Sequence, residues 1–338
     1  MRTGKLAENV WKRSVLRQMK NKRKEVRIGA GIGEDCAILS FPEDTYTAVT
    51  MEAALWQEIP KPGWIIHTAV NDLAASGAEP VAVMLTALWP AETTEAEIRR
   101  MMAEAEEACS SLSIQWAGGH TAITDAVVRP VLTVTGIGKL SGAEPASAAG
   151  MVPGLDLVAS KWIGLEGTAM LALSRGQELK KRYPAGMVDE AAAFERYLSV
   201  IPEAAVAMKS GVCAMHPVSE GGIFGALWEM CEAAGVGLEA ELKQIPIRQE
   251  TIELCEYYGL NPYMMTSGGC LLMAAVNGNH LVRELEKNGI PAVVIGRTTE
   301  SRDRILFHGE ERRFLDLPGQ DEMYRLSEAE NKGIKRQE

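Results

Sequence analysis

Three glycine pairs, Gly118-Gly119, Gly221-Gly222 and Gly268-Gly269, each stand at the end of an apolar run of β character. Glycine lets a backbone turn with positive φ or approach a ligand closely. One pair alone signals only a tight turn. Three with polar neighbours predict loops at strand ends that converge on one site, within a chain that alternates strands and helices.

The hydrophobic periodicity supports that alternation. Short β-prone runs at 37–39 and 46–50 flank a Pro-Glu-Asp turn, and 64–76 reads as a helix stopped at Ala78-Glu79-Pro80. A buried strand over 81–88 follows. Thr93 or Thr94 then caps a long helix with Ile98, Met101, Met102, Ala105 and Cys109 at helical spacing. Strands at 113–116 and 128–135 complete an α+β half on a mixed or antiparallel sheet. The Gly/Ala/Ser/Pro stretch 138–154 marks a domain boundary. A second cycle places strands at 157–160, 212–215, near 236, at 271–276 and at 292–296, with helices between them. This divides the chain into a basic N-terminal helix or arm over 1–28, domains over 29–145 and 150–310, and a polar tail over 311–338, loosely held after Leu317.

A chain of 338 residues is long enough for about two cores. Its formal charge of −10 argues against nucleic acid, which needs a basic surface. The basic cluster Lys12, Arg13, Arg17, Lys20, Lys22, Arg23, Lys24 and Arg27 reads as the solvated face of the first helix, with Leu6, Val10, Val15 and Met19 turned inward. The longest apolar run, 81–89, is broken by Thr86 and is too short to span a bilayer. The N-terminus shows no apolar signal core. Six cysteines without a CxxC pair predict buried free thiols in a reducing cytoplasm.

The familiar phosphate loops are missing. Gly29-Ala30-Gly31-Ile32-Gly33 lacks Rossmann spacing, and Gly136-Ile137-Gly138-Lys139-Leu140 lacks that of a P-loop. No GxSxG elbow or HExxH helix occurs. Acidic residues beside turns remain: Glu34-Asp35, Glu52, Asp72, and His120 with Asp125. Magnesium prefers hard oxygen ligands and bridges one or two carboxylates to substrate phosphates. Scattered carboxylates therefore suffice to bind a nucleotide through metal. Taken singly, Asp35 and Asp72 read as turn and helix-cap residues.

The order of these segments resembles a known superfamily. Gly33-Glu34-Asp35-Cys36-Ala37-Ile38 is similar to the Gly-Asp-Asp-Ala-Ala-Val segment of aminoimidazole ribonucleotide synthetase (AIR synthase) and its relatives. Val49-Thr50-Met51-Glu52 stands where these have Val-Thr-Thr-Asp. The run Val70-Asn71-Asp72-Leu73-Ala74-Ala75-Ser76-Gly77-Ala78-Glu79-Pro80 resembles their most specific motif, Asn-Asp-(Leu/Ile)-Ala-Ala-x-Gly-Ala-x-Pro. Gly118-Gly119-His120-Thr121 corresponds to Gly-Gly-Asp-Thr. Met215-His216-Pro217-Val218-Ser219-Glu220-Gly221-Gly222 resembles Met-His-Asp-Val-Thr-Arg-Gly-Gly. Ile245-Pro246-Ile247, Leu260-Asn261-Pro262 and Thr266-Ser267-Gly268-Gly269 lean towards the hydrogenase-maturation branch of HypE. The matches keep their order from about residue 29 to 300.

The resemblance implies a two-domain α/β (α+β) fold and a homodimer whose N-terminal strands form a shared barrel, with ATP and Mg2+ in a cleft at its interface. It implies metal ligation at Asp35, Asp72, Glu52 and His120, and nucleotide or phosphate contacts at Gly33, Asn71, Gly118, Gly119 and Thr121; Asp125 is a further candidate metal ligand, and Lys161, just after a strand and before Gly164 and Gly167, reads either as a phosphate contact or as a surface lysine. It assigns no catalytic residue here. The chemistry implied is phosphorylation of an amide- or carbonyl-type oxygen, with a maturation-factor or carrier protein as a further partner. Departures fall at Glu52, at His120 (an imidazole suits softer metals), at Pro217, at Glu220 in place of arginine and at Gly268 in place of an acid. Asp125 and Glu220 are candidates to restore the charges lost at 120 and 217. HypE acts on a C-terminal cysteine, whereas the last cysteine here is Cys270, so the acceptor is expected on another molecule. A catalytically degenerate assembly factor is the alternative.

Overall fold

The computed structural model describes residue 8 and residues 26–28, 31–34, 37–40, 45–54, 61–141 and 144–331. They form two compact units, one built on 34–145 with 26–28, the other on 146–331 with residues 8 and 31–33. The basic N-terminal helix expected over 1–28 lies outside the described residues, apart from Glu8 and the strand Val26–Ile28.

In the N-terminal unit the order is β1 (Val26–Ile28), β2 (Ala37–Ser40), β3 (Thr45–Ala53), α1 (Pro62–Ala75), β4 (Glu79–Trp89), α2 (Glu95–Ser111), β5 (Gln115–Ile123) and β6 (Val131–Ser141). The strands form a six-stranded sheet in the order β1-β2-β3-β6-β4-β5. Every pairing is antiparallel except β4 with β5, which α2 connects as a parallel crossover. Proline opens α1, where its missing N–H costs nothing. Trp64, Ile65, Ile66, Ala69, Val70 and Leu73 bury the helix against the sheet. Gly136 and Gly138 of β6 make that approach possible. A Cβ at Gly136 would lie 2.9 Å from Thr50 Cγ2 and 3.1 Å from Leu73 Cδ1.

Helix α2 begins as the sequence predicts, at Thr94. The Thr94 side chain accepts from Glu97 N at 3.3 Å, and Thr94 N donates to Glu97 Oε2 at 2.8 Å, a complete capping box. Thr94→Ala is expected to cost about 1 kcal/mol, measurable as weaker amide protection in α2 with the C-terminal unit unchanged.

Two boundaries differ from expectation. The strand expected at 113–116 runs instead through the glycine pair to Ile123, because β4 offers a continuous parallel ladder out to Trp89. The strand expected at 128–135 runs from Val131 to Ser141, since β3 and β4 pair with both of its edges. Gly138 is therefore sheet, and the units part between Pro145 and Ala146.

The C-terminal unit contains β7 (Asp156–Ser160), α3 (Leu165–Leu179), α4 (Ala185–Ala192), α5 (Ile201–Lys209), β8 (Ala214–Val218), α6 (Gly222–Ala234), β9 (Gly237–Glu241), α7 (Gln249–Tyr258), β10 (Cys270–Ala275), α8 (Gly278–Lys287), β11 (Ala292–Thr299), β12 (Arg304–His308), β13 (Glu311–Phe314) and α9 (Glu322–Asn331). Its seven strands are ordered β13-β12-β9-β11-β7-β10-β8, with only β12 and β9 parallel. β8 and β10 are buried at every position, which explains the continuous apolar run of β10 and the apolar character of β8 apart from His216. Pro217 is tolerated because β8 is an edge strand.

Among the described residues the polar segment over 311–331 forms regular structure, including the stretch after Leu317 expected to be loosely held. β13 pairs with β12, and α9 buries Met323, Tyr324 and Leu326.

The architecture is the expected two-domain α/β class, with mixed sheets in both units. Among the described residues the N-terminal sheet is open and does not close into a barrel. Cys109, Cys213, Cys231, Cys255 and Cys270 are free; burial pushes the thiol of Cys109 up to about 11 and those of Cys231, Cys255 and Cys270 up to about 12. Such thiols carry little thiolate and are chemically quiet. No helix among the described residues is long and apolar enough to cross a membrane.

Candidate nucleotide and metal site

Helix α1 carries two polar residues in its buried stretch, Asn71 at 4% and Asp72 at 6% exposure. Burying a carboxylate is costly unless hydrogen bonds compensate. Thr50 of β3 supplies one, donating from Oγ1 to Asp72 Oδ2 at 2.9 Å. Asp72 is in the last turn of α1, where the helix dipole disfavours negative charge. It is therefore not a helix-stabilising cap; its place is set by the contact with β3.

The other expected metal ligands are spread across the sheet. Glu52 is half-buried on β3 in the row Glu52, Val134, Leu85, Gly119. His120 is in the neighbouring row Ala53, Thr133, Thr86, His120, and so faces the opposite side. Three ladder steps separate β3 from β5, about 14 Å at ordinary strand spacing. Glu52 and His120 of one chain do not reach a common cation. Asp125 is exposed in the turn after β5, and Asp35 lies outside the described residues. No group of three His, Cys, Asp or Glu among the described residues is arranged to hold a metal.

The expected phosphate contacts divide similarly. Gly118 and Gly119 are strand residues of β5, and Thr121 is exposed on that edge strand. Gly33 packs on α6, where a Cβ would lie 2.7 Å from Glu229 O; close packing accounts for its lack of a side chain. Lys161 is buried. Its Nζ pairs with Glu203 Oε1 at 2.6 Å and donates to the carbonyls of Tyr197 at 2.8 Å and Ser199 at 2.7 Å. These partners hold the ammonium inside the C-terminal unit, in place of the phosphate contact expected from its position after a strand.

Two of the three glycine pairs do come together, within the C-terminal unit. Glu166 of α3 accepts from Thr266 Oγ1 at 2.6 Å and from Gly268 N at 3.2 Å. Its carboxylate fills the room a side chain at 268 would take, since a Cβ there would lie 2.7 Å from Glu166 Oε2. Asp321 accepts from Gly221 N at 2.8 Å and from Met323 N at 2.9 Å. Burial, with Glu220 nearby, raises the Glu166 carboxyl above its usual range, and burial pushes that of Asp321 up to about 8. His216 of β8 contacts Glu229 of α6 at 3.0 Å.

Sequence reasoning missed Glu166 and Asp321. Glu166 had a faint signal, its place between Gly164 and Gly167. Asp321 had none, because its partner is 100 residues away.

Two mixed α/β units, the first with a buried Asn-Asp pair tied to its central sheet and the second with paired glycine loops, define a two-domain α/β protein. The AIR synthase related protein, N-terminal domain, matches residues 33–140, and its C-terminal domain matches residues 152–309; the chain belongs to this family. It is 25% identical over 279 residues to the carbamoyl dehydratase HypE of Rhodobacter capsulatus, covering 79% of this chain and 77% of that one. Its fold matches the hydrogenase maturation protein HypE in complex with ATP, with a TM-score of 0.70 at 16% identity, over 95% of this chain and 97% of the other. It also matches a chain of a HypE–HypF complex, with a TM-score of 0.70 at 17% identity, over 91% and 99%. The family membership read from the motifs is borne out, as is its lean towards hydrogenase maturation: the chain is HypE-like.

Proposed function

We propose that this chain binds ATP with magnesium at the interface of a homodimer and phosphorylates an amide- or carbonyl-type oxygen of its substrate. The observation that carries this reading is the buried Asn71-Asp72 pair tethered to Thr50, a costly arrangement kept where the family motif stands. The similar fold of a HypE solved with ATP supports it, and the similar fold of a HypE–HypF complex supports a maturation-factor or carrier protein as partner.

Hard carboxylate oxygens suit magnesium, so Asp72 and Glu52 would hold it, with Asp35 and Asp125 as further ligands; His120 suits it poorly. When bound, the ion would neutralise charge on the transferring phosphoryl group. Asn71 and Thr121 would hydrogen-bond phosphate oxygens, as would backbone N–H groups at Gly118 and Gly119. The bond from the γ-phosphorus to ADP breaks as the acceptor oxygen bonds to phosphorus. Positioning supplies most of the catalysis. A dimer accounts for the outer face of the N-terminal sheet, where Met51 at 69% and Met84 at 44% exposure flank Thr135 in one row.

A second reading, a dimeric assembly factor without turnover, is favoured by Pro217, which has no ligating group, and by Gly268, whose side-chain space Glu166 fills. Calorimetric titration with ATP, with and without magnesium, separates the two. Magnesium-dependent binding is expected, weakened at least about tenfold in Asp72→Asn, which corresponds to about 1.4 kcal/mol. Absence of binding at millimolar ATP by a folded protein would reject the enzyme reading.

A further inference from the structure

Glu166, in the first turn of α3, is 7% exposed. Both of its donors, Thr266 Oγ1 and Gly268 N, bind one oxygen, Oε2. The other, Oε1, accepts no hydrogen bond among the described residues and stays open to the loop surface. A buried carboxylate with one oxygen idle is costly, and a donor from outside the chain would remove that cost.

Two glycine loops meet beside this oxygen. A Cβ at Gly222 would lie 2.5 Å from Tyr263 O and 2.9 Å from Met265 N. Gly167 N, next to Glu166, donates to Thr266 O at 3.1 Å. The backbones of 219–222, 263–268 and the start of α3 are therefore in direct contact, and neither 222 nor 268 puts a side chain between them.

The charges gathered there are of one sign. Glu220 acts on Glu166 and stands where the related motif has arginine. Asp321 accepts from Gly221 N and Met323 N, so an internal carboxylate already fills the N-terminal end of α6 and leaves little there for an anion. The nearby cations are engaged elsewhere: Lys161 with Glu203, Arg325 with Glu322 and Gly259 O, and Arg313 over the Phe224 ring at 5.7 Å. No group of three His, Cys, Asp or Glu among the described residues is arranged to hold a metal, which favours an organic cation.

We infer that this loop junction binds a small primary ammonium group, with Glu166 Oε1 accepting one N–H and Glu220 supplying a second negative charge. An ammonium is a compact charge with three donors. A guanidinium prefers a fork of two oxygens, which Glu166 does not offer while Thr266 and Gly268 hold Oε2. The site belongs to the C-terminal unit and stands whether or not ATP binds.

The test is titration of the full chain with methylammonium chloride at constant ionic strength and mildly alkaline pH, followed by the amide resonances of Gly268 and Gly221. So small a probe binds in the millimolar range at best, so the titration runs to roughly 100 mM. A saturable shift at Gly268 is expected, with affinity at least about tenfold weaker in Glu166→Gln. Glu220→Gln, which leaves the hydrogen bonds of Glu166 in place, should weaken it several-fold. Tetramethylammonium, a cation without N–H donors, should give no saturable shift, and methylguanidinium should bind more weakly than methylammonium. Absence of a saturable shift in the wild type would overturn the inference, as would undiminished affinity in both variants. An equal response to tetramethylammonium, or tighter binding of methylguanidinium, would also overturn it, because the site would then not select an ammonium.

Discussion

Gly119→Ala is expected to disrupt the outer edge of the N-terminal sheet, at a cost of about 4 kcal/mol, while Gly118→Ala leaves it nearly unchanged. The two residues are adjacent in one motif, yet their surroundings differ. Gly119 has φ of +147°, and a Cβ there would overlap the carbonyl of Leu85 on β4. The backbone would have to move, and with it the parallel ladder that runs to Trp89. A Cβ at Gly118 would meet only the Met84 methyl at 3.8 Å, an ordinary contact. Hydrogen exchange over β4 and β5, with urea unfolding of both variants, checks this. Equal behaviour of the pair would refute the strand placement of the motif.

Lys161→Met is expected to destabilise the C-terminal unit by roughly 3–5 kcal/mol, because it leaves a buried carboxylate without its counter-charge. Glu203 is 2% exposed, and the carbonyls of Tyr197 and Ser199 lose their donor as well. Lys161→Met combined with Glu203→Leu should recover most of the loss, since a buried ion pair replaced by apolar groups is often close to neutral. Thermal denaturation measures both. If Lys161 instead contacted phosphate, the single variant would lower ATP affinity at little cost in stability, and the double variant would restore nothing.

These two predictions mark where sequence reading stopped. The Gly118-Gly119-His120-Thr121 motif was legible, but it read as a loop, because nothing local announces that β4 will carry the ladder through it. Lys161 after a strand and before Gly164 and Gly167 has the look of a phosphate contact. Its partner Glu203 is on α5, outside any local window. The capping box at Thr94 and Glu97, by contrast, was readable because both halves are within four residues. So was Asn71-Asp72 as a functional candidate, although only the structure shows that Thr50 holds it and that it is no helix cap.

The sequence by itself determined the two-unit α/β plan, the family and the identity of its motif residues, since these rest on local periodicity, caps and short ordered patterns. Tertiary structure alone decided which carboxylates are buried and beside what. Glu166 reaches Thr266 and Asp321 reaches Gly221 across 100 residues each. Pairings at that range are set by sheet order and by the cost of leaving a buried polar group unpaired.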